Sequence, residues 1–468
     1  MWTLLALALV LRLAVAWWNY GFLALDDYTD IIVSAVPSQQ VDAHTVIETS
    51  GIRSPIPRLA MLGLVRVGLT LGINDSLNQV RWMYAWLGLF SMLAVAGGWW
   101  LFHHLGRPHW GLHAIVWGGL HFLAIYLSTR ALIETMAAPL LLVTAVASVC
   151  YAQSGRRGWL AGAMAALVLA SVFRFQAGAI VVVLLVLPVI RRQWGDLIVV
   201  LAVGLAGFLL TGWVDWLLRG GFHISLRRYL DFNIGQSSSF GVSPWYNYTL
   251  LLLAVSLPPV LVSRYRGFDW RSYLRLLWPA IALFGVFVIV HSMTPHKEDR
   301  FMAPIMPVFF MLLAPLSAHL WRARPRGWRT LAFVAINATM IVLLVAVPAQ
   351  YNVIGPVRYF RTHPTITRVW AIQPSMEAWP VAYSERPSPV LERVDTLPQW
   401  LLERPSCSEG IVVRSDALDR VRLDGYREAA VFGPGIPERL VIMINPKHNT
   451  RRNPIHLFVP VECGGGSR

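Results

Sequence analysis

Charge is scarce in this chain. Only 14% of its 468 residues are charged while 56% are hydrophobic, against about 25% charged in ordinary soluble domains, which excludes a soluble globule for most of its length. Lysine is nearly missing, occurring only as Lys297 and Lys447, a bias that reads as genomic composition and fits a bacterial source. The three cysteines, Cys150, Cys407 and Cys463, are too few for a disulfide framework and lack zinc-like spacing. Cys150 sits in an apolar run and reads as packing. Cys407 and Cys463 share the C-terminal region, where a disulfide is expected if that region is extracytoplasmic. No Gly-rich phosphate loop, HExxH pair or cysteine-histidine pattern occurs, which disfavours nucleotide hydrolysis and zinc chemistry.

Apolar runs fill the space that charge leaves. A helix needs about 17 to 25 residues to cross a hydrocarbon core of about 30 Å, and eleven such spans are expected, near 1–25, 82–102, 110–127, 134–152, 158–173, 176–190, 196–217, 248–263, 274–291, 301–321 and 330–349. The fifth and sixth are short enough to be broken or half-buried helices, tolerated where protein or a cavity satisfies the backbone. The fold class expected is therefore a polytopic α-helical membrane protein. The formal net charge of +15 does not imply a nucleic-acid partner, because the arginines lie mostly in short loops, where they orient a membrane protein.

The loops bearing Arg107, Arg156 and Arg157, Arg191 and Arg192, Arg264 with Arg266 and Arg271, and Arg322 through Arg329 alternate along the chain and are assigned to the cytoplasmic side. Met1 then starts inside. The loops 26–81, 218–247 and 292–300, the turn near Arg130 and everything after 350 face out. Within the first outer loop, Pro57 to Gly72 carries Arg58 and Arg66 and is expected to lie in the interface plane as an amphipathic helix. Beyond 350, apolar stretches at 411–413, 440–444 and 456–461 suggest strands of a small α+β domain spanning 351–463. The last stretch, Gly464 to Arg468, reads as an artificial scar.

Four constellations on the outer side carry chemistry. Asp26-Asp27 follows the first span; at a membrane boundary it reads first as interfacial solvation, and functionally as a general base that takes the proton of an attacking hydroxyl. His296-Lys297-Glu298-Asp299-Arg300-Phe301 is an ordinary solvated loop or, on a chain that almost never uses lysine, a cation cluster able to stabilise a departing phosphate. In that second reading His296, Lys297 and Arg300 hold the phosphate while Glu298 and Asp299 orient them. Arg174, inside Phe173-Arg174-Phe175-Gln176, either snorkels to the interface or adds a phosphate contact. Arg130 and Glu134 raise the same question, with a local ion pair as the plain reading. The 218–247 loop holds Tyr229, Asp231, Asn233, a Gly- and Ser-rich stretch from Gly235 to Gly241, and Pro244-Trp245-Tyr246. It is a flexible linker with aromatics that stack on sugars or anchor at the lipid boundary. Asn74-Asp75-Ser76 and Asn247-Tyr248-Thr249 are outward sequons that matter only in a eukaryotic host.

Taken together, these residues resemble the GPI and dolichol-linked-oligosaccharide mannosyltransferases of glycosyltransferase family 22, which have the GT-C membrane fold. His296 to Phe301 is similar to that family's HKEERF signature, with Asp299 in place of a glutamate. Asp26-Asp27 resembles its Asp-Glu pair, Gly51-Ile52-Arg53-Ser54 its segment before an interfacial helix, and Pro244-Trp245-Tyr246-Asn247-Tyr248 its PWHWY motif. Glu48 falls near a TWE-like motif but in Thr45-Val46-Ile47-Glu48, without the tryptophan.

The resemblance implies an inverting, metal-independent transfer of mannose from polyprenyl-phosphate mannose to a hydroxyl of a glycan or glycolipid on the outer, periplasmic or luminal, face. No cofactor is expected. Asp26 would be the base, with Asp27 supporting it or touching sugar. His296, Lys297, Arg300 and Arg174 would hold the donor phosphate, and Glu48, Arg53, Arg130, Trp245, Tyr246 and Glu298 would line the substrate site. A bacterial inner membrane is expected over an endoplasmic reticulum membrane. Two alternatives stay open: a GT-C enzyme using another lipid-linked sugar, such as glucose or arabinose, and a glycolipid transporter, against which the absence of an internal repeat counts.

Overall fold

The computed structural model describes residues 1–36, 43–49, 51–236, 239, 241–257, 260–323, 327–373, 375–376, 379–384, 388–403, 405–444 and 449–464. Residues 237, 238 and 240 of the Gly- and Ser-rich stretch, and residues 465–468 at the end of the stretch expected to be a scar, thus lie outside the described residues. By internal contacts the chain forms two compact units, each discontinuous in sequence. The first comprises Met1–Leu13, Asp42–Met61 and Tyr84–Thr339; the second comprises Ala14–Val41, Leu62–Met83 and Met340–Arg468.

The first unit is a helical bundle. Among the described residues of the whole chain, six helices are long and apolar enough to cross a membrane: Ser76–His104, Ile133–Ser154, Trp194–Arg219, Trp270–Met293, Asp299–Arg322 and Trp328–Thr362. Their burial differs sharply and orders the bundle. The most apolar window of Ile133–Ser154 is 83% buried and that of Asp299–Arg322 is 89% buried, against 11% for Trp194–Arg219. A helix that is apolar all round belongs either at the centre of a bundle or against lipid, and packing alone distinguishes the two.

Four of the expected spans are shorter or interrupted among the described residues, the first being helical over Trp2–Trp18. Arg157–Phe173 stops at Arg174, which leaves helical geometry (φ −143°, ψ 104°), and the chain resumes as a 3-10 turn over Phe175–Ile180 before the helix Val181–Ile190. The eighth expected span is helical only over Asn247–Val255, about 13 Å at 1.5 Å per residue, too short to cross alone. The third is a pair, Pro108–Leu120 and Phe122–Ser128, bent by 57°. A break at membrane depth must have its backbone groups satisfied internally, and here Arg12 and Asn337 do so. Arg12 donates to Gly118 O and Gly119 O, both at 2.8 Å, and Phe122 N donates to Asn337 Oδ1 at 2.7 Å.

The 218–247 region is not a loop throughout, since Ile224–Gln236 is helical and carries Tyr229, Asp231 and Asn233. The helix Ile56–Thr70 occupies the position of the expected interfacial segment.

The second unit holds a five-stranded mixed sheet in the order β2-β1-β3-β5-β4, with β1 Arg368–Ile372, β2 Val390–Val394, β3 Glu409–Arg414, β4 Tyr426–Phe432 and β5 Ile455–Pro460. β1 runs parallel to β2 and β3, whereas β5 is antiparallel to both β3 and β4. Alternate residues face opposite sides of a strand. Val369 and Ala371 accordingly join a core with Phe360, Val412 and Leu457, and Trp370 and Ile372 join one with Leu401, Ile411 and Val413. All six residues of β3 are buried, as a central strand covered on both faces requires.

The helix Tyr351–Thr362 lies close on this sheet: a Cβ on Gly355 would come within 2.4 Å of the Phe432 ring. Cys407 and Cys463 are disulfide-bonded. The stretch 440–444, expected as a strand, is instead part of the helix Ile436–Ile444. Pro437 and Glu438 in its first turn favour a helix start, and Glu438 Oε2 accepts from Gly435 N at 3.2 Å. The apolar run hid that signal because it is equally compatible with a strand.

Candidate active site

The segment His296–Phe301 begins where the helix Trp270–Met293 ends. Thr294 is extended (ψ 130°) and Pro295 cannot continue a helix, so the ionisable residues sit in a tight connection that re-enters a helix at Asp299. Glu298 organises it. One carboxylate oxygen bonds His296 Nε2 at 3.1 Å and accepts from Arg300 Nη2 at 2.9 Å, and the other lies 2.7 Å from Arg300 Nε.

Lys297 ties this connection to the 218–247 region before it. Its ammonium donates to Ser243 O at 2.9 Å and Thr294 O at 2.6 Å, while Ser243 N donates to Pro295 O at 3.1 Å. Desolvation holds the Lys297 ammonium below the usual lysine pKa. Tyr248 OH donates to Glu298 O at 3.3 Å. The Pro244–Tyr248 and His296–Phe301 motifs are thereby one hydrogen-bonded structure.

Arg174 reaches the same structure from another helix pair. Its guanidinium lies 4.7 Å from the centre of the Phe301 ring, which Arg300 approaches at 5.6 Å, so two cations share one aromatic ring. Arg174 does not snorkel outward: its side chain is 6% exposed and its Nη1 bonds Glu134 Oε1 at 2.5 Å, with Glu134 3% exposed. The expected local pair of Arg130 with Glu134 is therefore replaced by a longer-range one, because Arg130 stacks between Tyr84 (4.5 Å) and Tyr126 (4.8 Å). Among the described residues, Arg174 Nε and Nη2 and Glu134 Oε2 are buried without a hydrogen-bond partner. Buried polar atoms left in that state are costly, and two unused guanidinium donors suit an anion.

Beside this cluster is an apolar cavity of about 490 Å³ whose wall includes Ser171, Val172, Phe175 and Gly178, residues on either side of Arg174, together with Pro55 and Ile56. Tyr229, on the helix Ile224–Gln236, stacks near Phe175 (5.3 Å), and burial pushes its phenol pKa up.

The acidic pair lies in the second unit. Asp27 opens a six-residue π-helix, Asp27–Ile32, a rare geometry frequent at functional sites. Its side chain is buried and accepts from Leu23 N at 2.7 Å and Ala24 N at 3.2 Å, so it folds the chain that precedes it. Asp26 is half-exposed. The two carboxylates differ in burial, with Asp27 buried and bonded to backbone amides and Asp26 half-buried.

The remaining expected residues are more dispersed. Glu48 is 66% exposed and its near neighbour is His44 at 3.5 Å. Trp245 and Tyr246 are 72% and 46% exposed, with rings 5.8 Å apart. The Gly51–Ser54 segment is gripped by Arg219, which sequence reasoning missed: its guanidinium donates to Gly51 O at 2.6 Å and Arg53 O at 3.1 Å. Asp215 braces the same corner by accepting from Ser225 N at 2.6 Å. The available signal was a pair of ionisable residues four apart at the end of a span. Among the described residues no group of three His, Cys, Asp or Glu is placed to hold a metal ion.

Two structures of ArnT from Cupriavidus metallidurans share this fold. The one bound to undecaprenyl phosphate aligns at TM-score 0.54 and 12% identity over 99% of each chain. The apo form aligns at 0.59 and 10% over 99% of this chain and 98% of that one. The architecture is thus the GT-C glycosyltransferase fold. By sequence, the chain is 30% identical over 190 residues to GPI mannosyltransferase 3 of Debaryomyces hansenii, covering 38% of this chain and 33% of that protein. It is 30% identical over 200 residues to GPI mannosyltransferase 4 of Eremothecium gossypii (40% and 37%). It is 46% identical over 66 residues to the alpha-1,2-mannosyltransferase ALG9 of Saccharomyces cerevisiae (14% and 11%). The chain spans about a third of the length of the first of these relatives. A sequence profile matches residues 47–369, well over half the chain, taking in the Gly51–Ser54, Pro244–Tyr248 and His296–Phe301 motifs and both halves of the Glu134–Arg174 pair, and by that match the chain belongs to the Alg9-like mannosyltransferase family.

Proposed function

We propose that this protein is an inverting α-mannosyltransferase that moves mannose from polyprenyl-phosphate mannose to a hydroxyl of a glycan or glycolipid at the outer face of a membrane. One observation carries the reading: an apolar cavity of about 490 Å³ is walled by residues flanking Arg174, whose buried guanidinium has two nitrogens without a hydrogen-bond partner among the described residues. A polyprenyl phosphate is an amphiphile of that pattern, with a long apolar chain and a single anionic end. Arg174, Arg300, Lys297 and His296 would bind the phosphate, with Glu298 orienting two of them. Asp26 would be the base, being less buried than its neighbour, while Asp27 shapes the loop. The acceptor would be recognised through Glu48, Arg53, Arg130, Trp245 and Tyr246.

In the transfer, the acceptor oxygen forms a bond to the anomeric carbon from the face opposite the phosphate. The carbon–oxygen bond to phosphate breaks with its electron pair staying on the phosphate oxygen, and the hydroxyl proton passes to Asp26. Back-side attack inverts the anomeric centre. Charge grows on the leaving phosphate, where preorganised cations stabilise it most, so the reaction has no need of a metal. The arginine-bearing loops support a cytoplasmic N-terminus with the site facing outward, and the Cys407–Cys463 bond favours an oxidising compartment for the tail. A bacterial inner membrane fits these features.

The test is incubation of the purified protein with labelled polyprenyl-phosphate mannose and mannose-terminated glycolipids, with and without a chelator. Chelator-resistant transfer of label supports the proposal. Protection of the protein by the lipid without turnover would make it a carrier, and turnover only with the glucosyl or arabinosyl lipid would change the sugar.

A further inference from the structure

The tail from Ala349 onward contributes none of the site residues described above, yet within the second unit several of its contacts converge on the segment that carries the acidic pair. The hydroxyl of Tyr28, two residues after Asp26, donates to Trp379 O and accepts from Ala382 N, each at 3.4 Å. Tyr383 OH donates to Tyr20 O at 3.0 Å. The Tyr383 ring lies 6.2 Å from that of Tyr20 and 6.3 Å from those of Phe22 and Tyr28, so one tail side chain contacts three rings of the segment. Gln350 Nε2 donates to Leu23 O at 3.4 Å, the carbonyl of the residue whose amide Asp27 binds. Gly21 lies so near the chain at Ala349 that an added Cβ would fall 1.8 Å from Ala349 O.

The segment needs this support. Its regular structure is a single π-helical stretch, Asp27–Ile32, followed by three helical residues, Val33–Ala35. So short a piece does not hold a geometry by itself. A proton-accepting carboxylate must be held to within about 0.5 Å of its productive position.

We infer that the tail is a positioning element for Asp26, with Tyr383 and Tyr28 as the positioning residues: Tyr383 fixes the start of the segment through Tyr20 O and its ring cluster, and Tyr28 fixes the turn that Asp26 begins. This rests on the reading of Asp26 as base. It gives the tail a purpose that its sheet, distant in sequence from the motifs, does not announce.

The experiment uses the full chain in nanodiscs and the variants Tyr383→Phe and Tyr28→Phe, which remove a hydroxyl and keep the ring. Hydrogen exchange in peptides from residues 20–36 is expected to quicken about fivefold to tenfold, with peptides from Ile133–Ser154 unchanged. With labelled polyprenyl-phosphate mannose, kcat is expected to fall about tenfold or more at unchanged donor KM. Unchanged exchange over 20–36, or full kcat in both variants, overturns the inference. Should Tyr383→Phe fail to fold, Gln350→Ala takes its place with the same two readouts. Failure of the underlying reading looks different: Asp26→Asn would keep full activity while the exchange response to Tyr383→Phe remained.

Discussion

Glu134 and Arg174, forty residues apart, form an ion pair at 2.5 Å with both side chains all but fully buried. Removing one partner of such a pair strands a charge, whereas replacing both with apolar groups is often neutral. Glu134→Ala is therefore expected to destabilise the protein by about 3–5 kcal/mol, measured by thermal unfolding in detergent. The double variant Glu134→Leu with Arg174→Met should recover most of that stability and still fail to bind donor. Recovery of both would reduce the pair to scaffolding.

The two adjacent aspartates should separate in their effects. Asp26→Asn is expected to lower kcat by about a hundredfold to ten-thousandfold, the usual range for losing a general base, with donor binding and unfolding temperature unchanged. Asp27→Asn keeps one carbonyl acceptor but loses the second for Leu23 N and Ala24 N. It should cost about 1–3 kcal/mol of local stability, seen as faster hydrogen exchange around residue 23. An inactive Asp27→Asn alongside a fully active Asp26→Asn would exchange the roles.

Glu298 holds His296 and Arg300 together, so Glu298→Ala should release both side chains at once. A rise of about tenfold in donor KM is expected, near the value of one charge-assisted hydrogen bond. Lys297→Ala and Arg300→Ala should each weaken donor affinity as well. Lys297→Ala in addition loses the link to Ser243 O, and exchange in the 241–248 peptide should rise. Donor saturation curves that superimpose on those of the parent chain would remove the phosphate assignment.

Two carboxylates of the tail give opposite pH dependences. Burial raises the pKa of Glu438 above 4.5, so the folded state holds its proton more tightly than the unfolded chain. The resulting stability is fully present below 4.5 and is lost as pH rises through the folded value. Arg414 lowers Asp416 below 3.8, chiefly by hydrogen bonding, through contacts of 2.5 and 2.8 Å. That stability is present above 3.8 and is lost as pH falls through the folded value. Exchange in helix Ile436–Ile444 should therefore slow on acidification toward 4.5 in the parent chain and lose this slope in Glu438→Gln. Exchange in β3 should quicken only at stronger acidity and be insensitive to it in Asp416→Asn.

Much of the site was legible because its residue types are improbable where they stand. A lysine in a chain with two, set between a histidine and an arginine after an apolar run, marks the 296–301 segment without coordinates. Arg174 was visible for the same reason, but its partner was not: Glu134 is four residues from Arg130 and forty from Arg174, and sequence spacing favours the near neighbour. Arg12 and Arg219 were overlooked because each lies inside or at the end of an apolar run, and the backbone carbonyls they serve, at Gly118, Gly119, Gly51 and Arg53, have no signature in the sequence. The 440–444 stretch was misread because a short apolar run satisfies a strand and a helix equally.

The sequence by itself determined that the chain is a membrane protein, where most of its helices lie and which connecting segments carry charge, since transfer of residues into lipid depends on composition over a window of about twenty. Tertiary structure alone decided which apolar helices are central, that Glu134 joins Arg174, that Asp27 is buried against the backbone while Asp26 is half-buried, and that the tail grips the first loop. Those outcomes depend on which side chains meet across tens or hundreds of residues, and contact energies at such separations are set by packing geometry, to which local composition is blind.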